Sequence, residues 1–235
     1  MLFRIGLENN IEGRSLAWAL EFPGCFAYGA DSASALAAVP RAVRDYAAWL
    51  AAHGETFDPE PIKVKLYETW NDYTIDQDFN LVAAPGENVY EVNAWFRHDW
   101  KPLTAEEIAH GQQLLSWSRQ DLLETVRGLD TAALERQYPN ERWSIAGILR
   151  HVGGAEWWYL DRLGLAFPRE QIPAEPFDRL QKVRAHLNTV LPSLVASSQV
   201  VGVSGEFWSP RKLLRRAIWH ELDHVAHIRK LLQGV

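Results

Sequence analysis

Over the first hundred residues the apolar positions recur on short, changing periods, and no single helical stripe runs through them. Residues 15–22 read as a short extended segment, Phe22-Pro23-Gly24 as its turn, and residues 25–28 as a second strand completing a hairpin. Asp31 or Ser32 is placed to cap a helix carrying Ala37, Val43, Tyr46, Trp49 and Leu50 and stopping at Gly54, and Pro40 within it predicts a late start or a kink. In residues 62–70 and 88–97 apolar and polar positions partly alternate, as in Ile62, Val64, Leu66 and Val89, Glu91, Asn93, so both read as strands. The order strand, strand, helix, strand, strand predicts a small α+β domain over residues 1–100, its helix covering one face of an antiparallel sheet.

Beyond Lys101-Pro102 the period changes to that of helices. Thr104 with Glu107 three residues on forms a capping box before Leu114, Leu115, Leu122, Leu123 and Val126, and Gly128 is the natural stop. A second helix starts near Ser144 and carries Ile145, Ile148, Leu149, Val152, Tyr159, Leu160 and Leu163 up to Gly164. A third spans about residues 177–195. Ser209-Pro210, a cap residue followed by a first-turn proline, opens a fourth that continues through Leu214, Ala217, Ile218, Val225, Ile228 and Leu232. Four such helices with no strand between them predict a four-helix bundle over residues 101–235, so the fold class is α+β in two domains.

Five of the eight histidines fall after position 140, and His220-Glu221-Leu222-Asp223-His224 sets two imidazoles one helical turn apart. Both lie along the edge of the apolar stripe of the fourth helix. His227 points further toward solvent, and Glu221 falls within the stripe, where a lone carboxylate is costly and needs a partner. His151 lies beside the buried stripe of the second helix, with the small residues Gly147, Gly154 and Ala155 leaving room around it. Two imidazoles from one helix and one from another make three nitrogen ligands with open positions, the set that catalytic zinc and related divalent ions use. His151, His220 and His224 are therefore the candidate metal ligands, and Glu221 a candidate for orienting one of them. Trp158, about two turns from His151, is the candidate pocket wall, with Gly147 and Gly154 lining the pocket. His53, His98, His110 and His186 have no partner at ligand spacing and read as surface residues.

Composition narrows the function. At 235 residues, 47% hydrophobic and 23% charged, the chain buries a real core. Its net charge of −6 supplies no overall positive field for phosphates, which makes nucleic acid a poor partner. The single cysteine excludes an intrachain disulfide, the N-terminus shows no signal-peptide pattern, and no apolar run is long enough to span a bilayer. A bacterial cytoplasmic protein with no membrane contact is the expectation. No glycine-rich phosphate loop, Cys-x-x-Cys pair or serine-nucleophile elbow points to nucleotide, redox or acyl-transfer chemistry.

Trp143-Ser144-Ile145 leading into Leu149-Arg150-His151-Val152 and Glu156, then Ser209-Pro210 and His220-Glu221-Leu222-Asp223-His224 before Ile228, resemble the DinB-like family. The resemblance covers about residues 103–232. It implies a four-helix bundle with a three-histidine divalent site, carried over onto His151, His220 and His224, and frequent dimers. Members include S-transferases and isomerases using mycothiol, bacillithiol or glutathione. It thus implies zinc or nickel and a low-molecular-weight thiol as cofactors, a small-molecule substrate, and a transferase or hydrolase that activates a thiol or water. The first half, through Leu20-Glu21-Phe22-Pro23-Gly24-Cys25 and Tyr28-Gly29, resembles the HicB-like fold over about residues 2–70, which implies a sheet backed by one helix and a partner-binding role. The rival to an enzyme is accordingly a non-catalytic interaction protein with a structural metal.

Overall fold

The computed structural model describes residues 1–83 and 88–234. The chain forms two compact units, one of Met1–Lys101 with Val200–Ser209, the other of Pro102–Gln199 with Pro210 onward. The architecture is mixed α+β, a sheet-bearing N-terminal part and a helical C-terminal part.

The first unit contains strands β1 (Leu2–Ile11), β2 (Arg14–Ala19) and β3 (Phe26–Gly29), helix α1 (Ser32–Ala52), and strands β4 (Lys63–Asn71), β5 (Tyr73–Asp76), β6 (Leu81–Val82) and β7 (Val89–Val92). A four-stranded sheet has the order β3-β2-β1-β4 and a three-stranded one the order β6-β5-β7. The larger sheet departs from the antiparallel one expected, because β4 runs parallel to β1. Helix α1 returns the chain to the end of the sheet where β3 began, so the next strand repeats the direction of β3. β1 escapes a reading by alternation. Its buried Phe3, Ile5 and Leu7 alternate with exposed Arg4, but Gly6 and Glu8 on the other face are buried as well. Glu8 is tolerated there because its carboxylate accepts hydrogen bonds from the Trp18 indole at 2.7 Å and the Ala94 amide at 2.8 Å. The strand expected over residues 88–97 is confined to Val89–Val92. Helix α1 starts without delay despite Pro40, since Asp31 and Ser34 form a reciprocal capping box, and it buries Ala35, Val39, Val43, Tyr46 and Leu50. Ala37, expected on the apolar side, is exposed.

Gly29 marks where β3 turns into α1. A Cβ on it would stand 2.1 Å from the Ala35 nitrogen and 2.6 Å from the Ala35 Cα, and backbone cannot swing away as a side-chain end can. Gly29→Ala is expected to destabilise this unit by about 3 kcal/mol, seen as a lower urea midpoint. An unchanged midpoint would show that the β3–α1 junction has slack.

A hairpin, β8 (Val201–Val203) paired with β9 (Glu206–Trp208), interrupts the expected unbroken run of helices. Ser204 and Gly205 both have positive φ, the conformation of a tight two-residue hairpin turn, and three-residue strands are too short to show a period. The hairpin belongs to the first unit. Phe207 meets Trp95 edge to face at 4.8 Å, and the Ser209 hydroxyl donates to the Asp99 carbonyl at 2.5 Å. His98, expected at the surface, is buried in this unit beside Asp99 in the turn Arg97–Trp100.

The second unit is a bundle of α2 (Ala105–Thr125), α4 (Ile145–Arg162), α5 (Pro176–Val190) and α6 (Pro210–Gln233), with the single-turn helix α3 (Thr131–Leu134) before α4. Thr104 and Glu107 form the capping box of α2, and Ser144 caps α4 by accepting from Gly147 N. α5 stops at Val190 and a 3-10 turn, Leu191–Leu194, takes over the rest of the expected third helix. Leu122, Ile145, Ile148, Leu149, Val152, Leu180, Val225 and Ile228 form the core. Leu123 and Leu232, expected inside, are exposed, and Leu231 takes the inward place at the end of α6. Among the described residues no helix is long and apolar enough to cross a membrane.

Candidate metal centre

The helical period that buries Val152 and Tyr159 on α4, and Ala217, Val225 and Ile228 on α6, sets His151, His220 and His224 at the margins of those stripes, turned toward one another. One ring nitrogen from each lies within 4.8 Å of the other two. His220 Nε2 is 3.0 Å from His151 Nε2 and 3.2 Å from His224 Nε2. Neutral imidazoles have one lone pair each, so three Nε2 atoms converging in this way suit a shared cation better than one another. His220 and His224 are buried, and His151 is half-buried.

Burial holds the imidazoles neutral. It depresses the pKa of His220 well below the ordinary value, with His224, His151 and Arg216 adding to the effect. Burial likewise pushes His224 down to about 3, helped by His151 and His227. Neutral nitrogens are what a metal needs. The sign for stability follows from linkage. Between about 6.5, where His224 titrates unfolded, and about 3, the unfolded chain takes up a proton that the folded one refuses. The stability is therefore complete above pH 6.5 and is lost as pH falls, by about 1.4 kcal/mol per pH unit for one such proton. Urea midpoints of metal-free protein measured from pH 7 to pH 4 should decline accordingly, and His224→Leu should flatten part of the slope.

Rings wall the cluster. Trp143 stacks on His151 at 4.4 Å and 26°, Tyr159 meets His220 edge-on at 6.1 Å, and Trp219 lies 5.7 Å from His220. Gly147 has a definite part in this, because a Cβ there would come within 2.9 Å of Trp143 Cβ. Trp158, expected as the wall, is instead 37% exposed with the Arg162 guanidinium over its ring. Seven residues fall 20° short of two full turns, so the spacing from His151 was right, but that side of α4 is outward at Trp158. At Gly154 a Cβ would meet only Arg179 Nη1, at an ordinary contact distance of 3.8 Å. His227, half-buried, donates from Nε2 to Glu141 Oε2 at 3.0 Å.

Glu221 does not orient an imidazole. Its carboxylate accepts from Arg119 Nε at 2.5 Å, from Arg184 Nη2 at 2.8 Å and from the Ser118 hydroxyl. Arg184 also grips Glu156, with Nε at 3.0 Å from Oε1 and Nη2 at 2.6 Å from Oε2, and Arg119 donates to the Leu180 carbonyl at 2.6 Å. Burial raises the Glu221 pKa, but Arg184, Arg119 and Ser118 outweigh it and leave it below the ordinary value. Burial works against the Arg184 charge, and Glu156 with Glu221 more than restores it. This network draws on all four bundle helices and sits one residue from His220, so it fixes the rotation of α6 that presents both of its imidazoles. Only the placement of Glu221 in an apolar stripe signalled it. Arg119, Arg184 and the buried role of Glu156 carried no such mark.

A four-helix bundle with three imidazole nitrogens gathered between two helices defines a candidate metalloprotein. Residues 114–228 match the DinB superfamily. A solved structure described as "YfiT from Bacillus subtilis is a probable metal-dependent hydrolase with an unusual four-helix bundle topology" aligns at 18% identity and a TM-score of 0.45, covering 56% of this chain and 89% of its own. No curated protein matches the chain. The superfamily match leaves the first hundred residues outside, so the HicB-like resemblance there rests on sequence motifs alone.

Proposed function

We propose that the protein is a metal-dependent enzyme acting on a small molecule, with His151, His220 and His224 holding one divalent ion, zinc or nickel. The observation that carries this reading is the convergence of the three Nε2 atoms. An ion held there lowers the pKa of a coordinated thiol or water and so supplies a nucleophile near neutral pH. The chain's own part is to keep three neutral imidazoles in place and to shield them with Trp143 and Tyr159; among the described residues no fourth His, Cys or carboxylate joins the three. Thiol transfer is the favoured reaction, on the strength of the sequence resemblance, and hydrolysis is the alternative use of the same nucleophile chemistry.

The test is elemental analysis of untagged protein purified without added metal or chelator, beside His151→Ala. About one ion per chain, lost in the variant, is the expected result and would justify screening thiols against electrophilic substrates. No ion, and no uptake when zinc or nickel is offered, would overturn the reading. The rival structural role for the ion is disfavoured by the Arg119–Glu156–Arg184–Glu221 network, which already ties the four helices together. Chelation should therefore lower the melting temperature by only a few degrees, whereas a large drop would favour the structural role.

A further inference from the structure

The eight residues before α4, residues 137–144, form no regular element, yet two contacts fasten them beside the histidine cluster. Trp143 lies against His151, rings stacked at 4.4 Å, and the Arg142 guanidinium lies over the Trp143 ring at 4.6 Å. Gly147 supplies the space that lets the indole lie down along α4. Two residues before Trp143, Glu141 reaches α6 and accepts from His227 Nε2 at 3.0 Å. His227 follows His224 by three residues on the same helix, and their rings lie 5.9 Å apart. Glu141 thus grips the helix that presents two of the imidazoles, while Trp143 covers the imidazole presented by α4. Neither Glu141 nor His227 is used by the function proposed above.

We propose that Glu141 and His227 are positioning residues, a clip that fastens the segment before α4 to α6 and so seats Trp143 as a cover on His151, slowing exchange of the ion. The clip itself stands on geometry alone. Its effect on the ion rests on the metal reading given above. Loss of one partly exposed side-chain hydrogen bond shifts a local opening equilibrium by about tenfold, which is the size of effect to look for.

The experiment has two arms on the full chain. In the first, amide hydrogen exchange by mass spectrometry is followed through residues 137–147 in metal-free protein. Glu141→Ala and His227→Ala should each speed exchange there by about tenfold. His227→Gln, whose amide N–H can still donate to Glu141, should stay near wild type. In the second arm, zinc-loaded protein is mixed with a chromogenic chelator. Zinc release should be about tenfold faster in Glu141→Ala, His227→Ala and Trp143→Ala, with about one zinc per chain retained at the start. Unchanged amide exchange in Glu141→Ala would overturn the clip. Loss of zinc stoichiometry in His227→Ala alone would also overturn it, by making His227 a ligand. If wild-type protein takes up no zinc, the metal reading fails, and the first arm still decides whether the clip exists.

Discussion

Arg184→Ala is expected to destabilise the helical unit by about 3–5 kcal/mol, because it strips a cation from two buried carboxylates without removing either of them. Glu156 and Glu221 are 3% and 1% exposed, so neither can turn to water once Arg184 is gone. Arg119 remains, bonded to Glu221 at 2.5 Å but 3.5 Å from Glu156, too little to neutralise both. A fall in melting temperature on the order of 10 °C by circular dichroism is the corresponding readout. Arg184→Met combined with Glu156→Leu should recover part of the loss, since a buried ion pair replaced by apolar groups of similar size is often close to neutral. A wild-type melting curve for Arg184→Ala would mean that the network contributes nothing to the bundle.

His220→Ala is the second large effect. His220 is the middle member of the cluster, with its Nε2 close to both other ring nitrogens, and removing it leaves two imidazoles whose Nε2 atoms have lost their shared neighbour. Metal content should fall from about one ion per chain to near none, and affinity for zinc by at least about 100-fold. Helix content should be unchanged, because neither the apolar core nor the Glu221 network includes His220. Full metal retention in this variant would overturn the site assignment.

What the sequence could reveal here followed from helical geometry. His220 and His224 are four residues apart on a long amphipathic helix, and His151 sits beside a second apolar stripe, so all three are placed by the period that places the core. Glu221 could be read as needing a partner for the same reason. Trp143 could not be found that way, because it lies before α4 and reaches His151 only through the space left by Gly147. Trp158 satisfied the period and was still misleading, since its side of the helix is outward. Arg184 looks like an ordinary polar residue of α5, and its burial depends on Glu156 and Glu221, 28 and 37 positions away. In the first unit, β1 was hidden by a buried glutamate whose partners, Trp18 and the Ala94 amide, come from a neighbouring strand and from far along the chain.

The hairpin of β8 and β9 gives the chain an interleaved order of construction. Its ten-residue segment Val200–Ser209 belongs with the first hundred residues yet is translated after three of the four bundle helices. The first unit therefore cannot be completed as it leaves the ribosome, and must wait until most of the second has been made. A cut at Lys101 would not yield two self-contained halves either. The upstream piece would lack Phe207 against Trp95, and the downstream piece would carry Trp208, 1% exposed in the whole protein, on a segment parted from its own unit. Co-expressing residues 1–101 and 102–235 is thus a complementation experiment, in which one fragment donates two strands to the other.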